Sequence, residues 1–199
     1  MVADDVRDEN EERTIDLMIE QSEIIEQVDL VYKKLRGLGK KWNRFRGNTI
    51  CNILVHYLEK HLPNDVKLVK LAWVDGCPTE FDILAVDKDA MPIDFTDAYP
   101  KKQVRLLMEI KSSGVYYQRE DIKNKMSEMF EKWKVETGKP VVYLTTWEAK
   151  AHIKEVQDAI GNDTAFALRV EGEDMISGIF GEWERFLDRV GSLLSSPSA

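Results

Sequence analysis

Cysteine is nearly absent from this chain. Cys51 and Cys77 are the only two in 199 residues, and both lie near apolar residues. Neither a disulfide framework nor a zinc site is expected, and a reducing, cytoplasmic setting is the natural expectation. Long apolar runs are missing too, which removes a membrane span, and the acidic, polar N-terminus does not read as a secretory signal. Positive charge is in deficit, with a formal net charge of −8. That balance argues against a general nucleic-acid coat protein, yet leaves room for an enzyme with a local basic patch. No internal repeat is present. One further absence is local: no acid occurs between Lys33 and Arg46.

What is present supports one folded domain with an appendage. The chain is 43% hydrophobic, enough for a core, and its 32% of charged residues calls for a long exposed helix. Residues 1–10 are acidic and are expected to be disordered. Residues 11–38 read as one amphipathic helix. Met18, Ile25, Val28, Tyr32 and Leu35 form a stripe of near-heptad spacing, broadened by Ile15, Ile24 and Val31. Two readings stand for this helix: it packs on its own domain, or it pairs two chains as a coiled coil, giving a homodimer. Gln21 at a seam position weakens the coiled coil.

After the glycines at 37 and 39, the pattern predicts a helix over 48–61 and a strand over 66–73. A second strand carries Asp82, and a long connection over 87–103 has room for a short hairpin. A third strand ends at Lys111. A helix over 119–136 follows, then a strand over 141–145, a helix over 148–160, a strand over 165–170 and a final helix over 175–194. Residues 39–195 thus form one domain and 196–199 a loose tail. Strands interleaved with helices imply a mixed central sheet with helices on both sides, an α/β fold.

The chemistry concentrates in Glu109-Ile110-Lys111 and in Asp82, which opens the apolar run Ile83-Leu84-Ala85-Val86. Strand side chains alternate, so Glu109 and Lys111 point the same way. If the two strands pair, Asp82 joins them. Two carboxylates suit a hard cation such as Mg²⁺, with Mn²⁺ as substitute. A lysine beside that cation can orient or deprotonate a water for attack on a phosphodiester. A plain cross-strand ion pair is the alternative. Glu80 shares the face of Asp82 and is a possible further acid, whereas Asp94 and Asp97 lack a strand context.

The pattern resembles the PD-(D/E)XK nuclease superfamily, whose core motif is an acid on one strand and E-x-K on the next. Asp82, Glu109 and Lys111 match it in element order, and Ser112-Ser113 continues it. The resemblance implies a restriction-endonuclease-like fold and a metal-dependent nuclease, with DNA as the expected substrate. It also implies a metal ligand in the backbone carbonyl of Ile110 and possible support from Gln118 at the start of the next helix. Many members carry an acid on the first core helix. Here that place falls near Cys51 or Asn52. Asn52 could hold a water but supplies no charge, so a catalytically inactive DNA-binding or assembly module is the alternative reading. The long first helix and the connector Gly39-Lys40-Lys41-Trp42-Asn43-Arg44-Phe45 are also similar to little-characterised prokaryotic members that join a coiled coil to such a core.

The acid-free stretch supplies a candidate nucleic-acid surface: Lys40, Lys41, Trp42, Arg44 and Arg46. Its cations would gain affinity for phosphates by counterion release, and Trp42 could stack on a base. Alternatively, the cations simply complement the C-terminal end of the first helix.

Overall fold

A computed structural model of the chain describes residues 2–35, 42–112, 120–171 and 180–195. Its elements run α1 (Val2–Leu35), α2 (Asn43–Leu58), β1 (Val66–Val74), β2 (Glu80–Asp87), β3 (Ala98–Tyr99), β4 (Val104–Lys111), α3 (Glu120–Thr137), β5 (Val141–Thr145), β6 (Glu148–Ala149), α4 (Lys150–Ile160), β7 (Ala165–Ala167), β8 (Val170–Glu171) and α5 (Phe180–Ser195). Six strands make one mixed sheet in the order β3-β1-β2-β4-β5-β7, and β6 and β8 form a small separate pair. The hairpin β1–β2 and the pair β2–β4 are antiparallel, while β4, β5 and β7 run parallel. Parallel neighbours need crossovers, and α3 and α4 supply them.

The two sheet faces bury separate clusters. On one, Ile83, Ala85, Leu106, Met108, Val142 and Leu144 meet Ile24, Ile50, Leu54, Trp183 and Phe186 from α1, α2 and α5. On the other, Leu84, Leu107, Val141 and Tyr143 meet Phe130, Trp133 and Val156 from α3 and α4. The central strands are covered on both faces, which is why they read as near-continuous apolar runs. Gly138, at φ 67°, stops α3, and its N–H is bonded to the carbonyl of Lys134 at 2.8 Å.

The departures from the sequence reading have identifiable causes. Helix α1 starts at Val2 rather than near Glu11. Nothing before Glu11 breaks a helix, and Asp4 and Asp5 suit an N-terminal turn. Helix α2 starts at Asn43, so Arg44 and Arg46 are helical, and Gly47 does not interrupt it. The expected hairpin in the long connection is instead a two-residue strand, β3, parallel to β1 (Trp73 opposite Ala98). The single strand expected over 165–170 is split between the two sheets as β7 and β8.

The core-facing side of α1 keeps most of the expected stripe: Ile24 and Val28 are buried and Ile25, Val31 and Tyr32 pack against the core, joined by the buried Leu17 and Gln21, while Ile15 is exposed. Gln21 is fully buried and donates from Nε2 to the carbonyl of Leu168 at 2.7 Å. Trp183 donates from its indole nitrogen to Glu20 at 3.0 Å, and Gln27 donates to the Tyr57 hydroxyl at 2.7 Å. The buried face of α1 is therefore spent on its own domain, and the polar residue that weakened a coiled coil serves an intrachain contact. No helix among the described residues is long and apolar enough to cross a membrane.

This arrangement is testable. Ile24→Ala, at a position with no exposure, should lower unfolding stability by about 2–5 kcal/mol. The loss should be the same at every protein concentration in denaturant titrations. A loss that shrinks as the chain is concentrated would mark Ile24 as part of an interchain seam.

Candidate active site

The site begins with a fault in the β1–β2 hairpin. Register pairs run from Val66 with Asp87 to Lys70 with Ile83, and resume with Ala72 and Phe81. The missing pair is Leu71 with Asp82. Leu71 sits at φ 52°, left-handed backbone that costs a side-chain-bearing residue roughly 1–2 kcal/mol. Burial changes phase at this point. In β1, Val66 and Leu68 belong to one face and Ala72 and Val74 to the other; in β2, Ile83 and Phe81 divide the same way. Unbroken two-residue alternation would keep each set on one face. Both strands therefore turn over where Asp82 lies, which frees Asp82 from the regular alternation.

The pairing of β2 with β4 ends nearby, at Ile83 with Met108. Beyond it, the Asp82 carboxylate accepts the backbone N–H of Ile110 at 2.8 Å. A side chain thus replaces the ladder bond where the strands separate. On β4, Glu109 and Lys111 share a side, and the Lys111 ammonium donates to Glu109 Oε1. The far end of β4 is pinned as well. The N–H of Thr146 donates to the carbonyl of Lys111 at 2.9 Å, and its hydroxyl donates to the carbonyl of Ser112 at 2.9 Å.

Asp82, Glu109 and Lys111 therefore meet at one place. Glu109 is 8% exposed. Burial, opposed by Lys111 and reinforced by the charge of Asp82, pushes its carboxyl up to about 7. Asp82 is also raised, first by burial, and this is opposed by the Ile110 N–H and by Lys111. The two carboxyls hydrogen-bond each other, which raises Glu109 and lowers Asp82. Two carboxyls brought this close resist ionising together, and Lys111 offsets only part of that cost. Hard oxygen donors held together and short of positive charge suit a divalent cation. Among the described residues, no group of three or more His, Cys, Asp or Glu could hold a metal ion.

The remaining sequence candidates fall in different places. Glu80 lies 3.7 Å from Arg44 in an ion pair, which brings the start of α2 to the edge of the acid pair, because Glu80 also raises Asp82. Trp42 and Phe45 are exposed and stack edge-to-face with centroids 5.7 Å apart. Arg46 instead packs over the Tyr32 ring at 5.0 Å, engaged with α1. Asn52 accepts a hydrogen bond from Lys70. Cys51 is buried, and its thiol is pushed up to about 12 by burial and by the charges of Asp82 and Glu109. The helix position beside the acids is therefore occupied by a neutral thiol. Asp94 and Asp97 are exposed on the long connection, where the Asp97 carbonyl accepts the Trp73 N–H at 3.0 Å. Lys40, Lys41, Ser113 and Gln118 lie outside the described residues.

Lys70 was not among the sequence candidates. Its signal was faint: alternation puts Lys70 on the same face of β1 as Val66 and Leu68, a charge in line with apolar neighbours.

No family model matches the chain, and no curated protein matches it. Solved structures do. The cAAA-bound form of NucC from P. aeruginosa ATCC27853 superimposes with a TM-score of 0.50 at 14% identity, covering 69% of this chain and 64% of that one. The cAAA-bound form of NucC from E. coli MS115-1 gives a TM-score of 0.50 at 14% identity, covering 68% and 63%. The chain thus spans less than two thirds of either NucC chain. The likeness is one of fold: a mixed α/β sheet flanked by helices, as in NucC.

The raised Glu109 carboxyl has a pH signature. In the metal-free protein the folded state holds this proton more tightly than the unfolded state, so stability falls as pH rises from the ordinary carboxylate range through about 7. Glu109→Gln removes that loss. With EDTA present, its melting temperature should exceed that of the unmutated chain at about pH 8, and the gain should fade towards about pH 5. An equal gain at both ends of that range would show that Glu109 does not carry the proton.

Proposed function

We infer that the chain is a metal-dependent nuclease of the PD-(D/E)XK type that hydrolyses phosphodiester bonds in DNA. The observation that carries this reading is the pairing of the buried Glu109 with the half-buried Asp82, with Lys111 bound to Glu109 and the Ile110 N–H bound to Asp82. The fold likeness to NucC supports it.

Asp82, Glu109 and the carbonyl of Ile110 would hold Mg²⁺, or Mn²⁺ in its place. When bound, such an ion neutralises charge building on the phosphoryl oxygens and acidifies water. The chain's own residues do the rest. Glu109, whose carboxyl is raised by burial, would be ligand-competent once ionised. The Ile110 N–H keeps Asp82 in a fixed orientation. Lys111, tethered through Glu109, presents its ammonium to the attacking water or to a phosphoryl oxygen. Trp42, Phe45 and Arg44 lie beside the acids through the contact of Arg44 with Glu80. That ion pair is exposed and weak, so the guanidinium is available to phosphates. A homodimer through α1 would use the outward face carrying Ile15, Ile19 and Leu30, all exposed.

A second reading rests on Cys51: with a neutral thiol where an acid often stands, the chain would be an inactive nuclease-fold module that binds DNA. Cleavage assays separate the two. With Mn²⁺ and single-stranded, duplex and branched DNA, the unmutated chain should cut, and Asp82→Ala, Glu109→Ala and Lys111→Ala should each lose at least about a hundredfold in rate while remaining folded. Lys111→Ala cutting at the unmutated rate would remove its assigned role, and DNA binding without cleavage by the unmutated chain would establish the inactive module. Mass measurement of the full chain over a range of concentrations, beside Ile15→Glu on the outward face of α1, tests the homodimer. A monomer mass for the unmutated chain at every concentration would exclude it.

A further inference from the structure

Helix α2 and strand β1 hold a second ammonium one strand over from Asp82. Lys70 is exposed on β1 and donates to the side-chain oxygen of Asn52, also exposed, on α2. Its register partner is Ile83, the residue after Asp82. One residue before Asn52, the buried Cys51 lies within electrostatic reach of Asp82, Glu109, Lys70 and Lys111. Across the strand order β1-β2-β4, the sequence of groups is Lys70, then Asp82, then Glu109 with Lys111. The acids are flanked by an ammonium on each side.

A second divalent ion would need a further acid, and α2 offers Cys51 and Asn52 instead. Two acids cannot offset two divalent ions with two ammonium groups already present. A compact ammonium can meet a phosphate oxygen as a point charge, and the Asn52 side chain holds this one without neutralising it.

We propose that Lys70, fastened by Asn52, is a phosphate-positioning residue whose ammonium supplies the positive charge a second divalent ion would otherwise bring, so that the acid pair takes one ion only. This rests on the nuclease reading of the same site and deepens it. It accounts for the thiol and amide on α2: an acid there would capture Lys70 in an ion pair and withdraw it from the substrate.

The test uses the full chain with two probes, Mn²⁺ alone and a short fluorescent duplex DNA in Ca²⁺. Calorimetry should find one Mn²⁺ per unmutated chain, lost in Asp82→Ala. The logarithm of DNA affinity should fall with the logarithm of salt concentration, and Lys70→Gln should flatten that slope by about 0.9, the value of one phosphate contact. Lys70→Arg should keep the slope, which a merely structural lysine would not require. Two Mn²⁺ per unmutated chain, or an unaltered slope in Lys70→Gln, overturns the proposal while leaving the nuclease reading in place. An unmutated chain that binds neither Mn²⁺ nor DNA overturns the nuclease reading itself, and the role of Lys70 with it.

Discussion

One hydrogen bond organises this molecule's chemistry: the Ile110 N–H donated to the Asp82 carboxylate at 2.8 Å. It forms where β2 and β4 stop pairing, so it satisfies a backbone donor that the ladder no longer serves. An unpaired buried N–H would cost about 1–3 kcal/mol. The same bond turns Asp82 towards β4 and brings its carboxyl against Glu109. Without it, the E-x-K strand would carry a single acid and an ion pair.

Bringing two carboxyls together below the surface creates a deficit of positive charge. The protein answers it partly with Lys111, and the raised Glu109 carboxyl reflects the part left unanswered. On the proposed reading, that remainder is what a bound cation would meet. The surroundings hold the arrangement stiff. Thr146 ties the end of β4 to the segment after β5, and the apolar layers on both faces fix the central strands. A site built on sheet ends of this kind keeps its geometry better than one carried by loops.

Much of this was legible in the sequence. The order of helices and strands follows from apolar periodicity and from stops such as Gly138, and the observed elements match it closely from β1 to α4. The contact of Glu109 with Lys111 follows from their separation of two on a strand. Other parts were not legible. Of the stripe read on α1, Ile24 and Val28 are buried and Ile25, Val31 and Tyr32 pack against the core, but Leu17 and Gln21 were not read as core and Ile15 is exposed. A helix wide enough to cover two neighbours is not read from one stripe. Arg46 looked like a free cation and is stacked on Tyr32, a contact between separate helices that no local pattern encodes.

Local covalent geometry is what the chain alone determined: side chains alternating on strands, apolar faces on helices, a pair of strand acids in a fixed order with a lysine, and an acid-free basic stretch. Only the tertiary structure decided that Leu71 would adopt left-handed backbone, that both strands of the hairpin would turn over opposite it, and that Asp82 would thereby reach Glu109. It also decided that Lys70 and Asn52 would meet beside them. The physical reason is that φ at Leu71 is locally unfavourable and is held by packing on two faces of the sheet. Residues far apart in the chain supply that packing, and a reading of neighbours does not contain it.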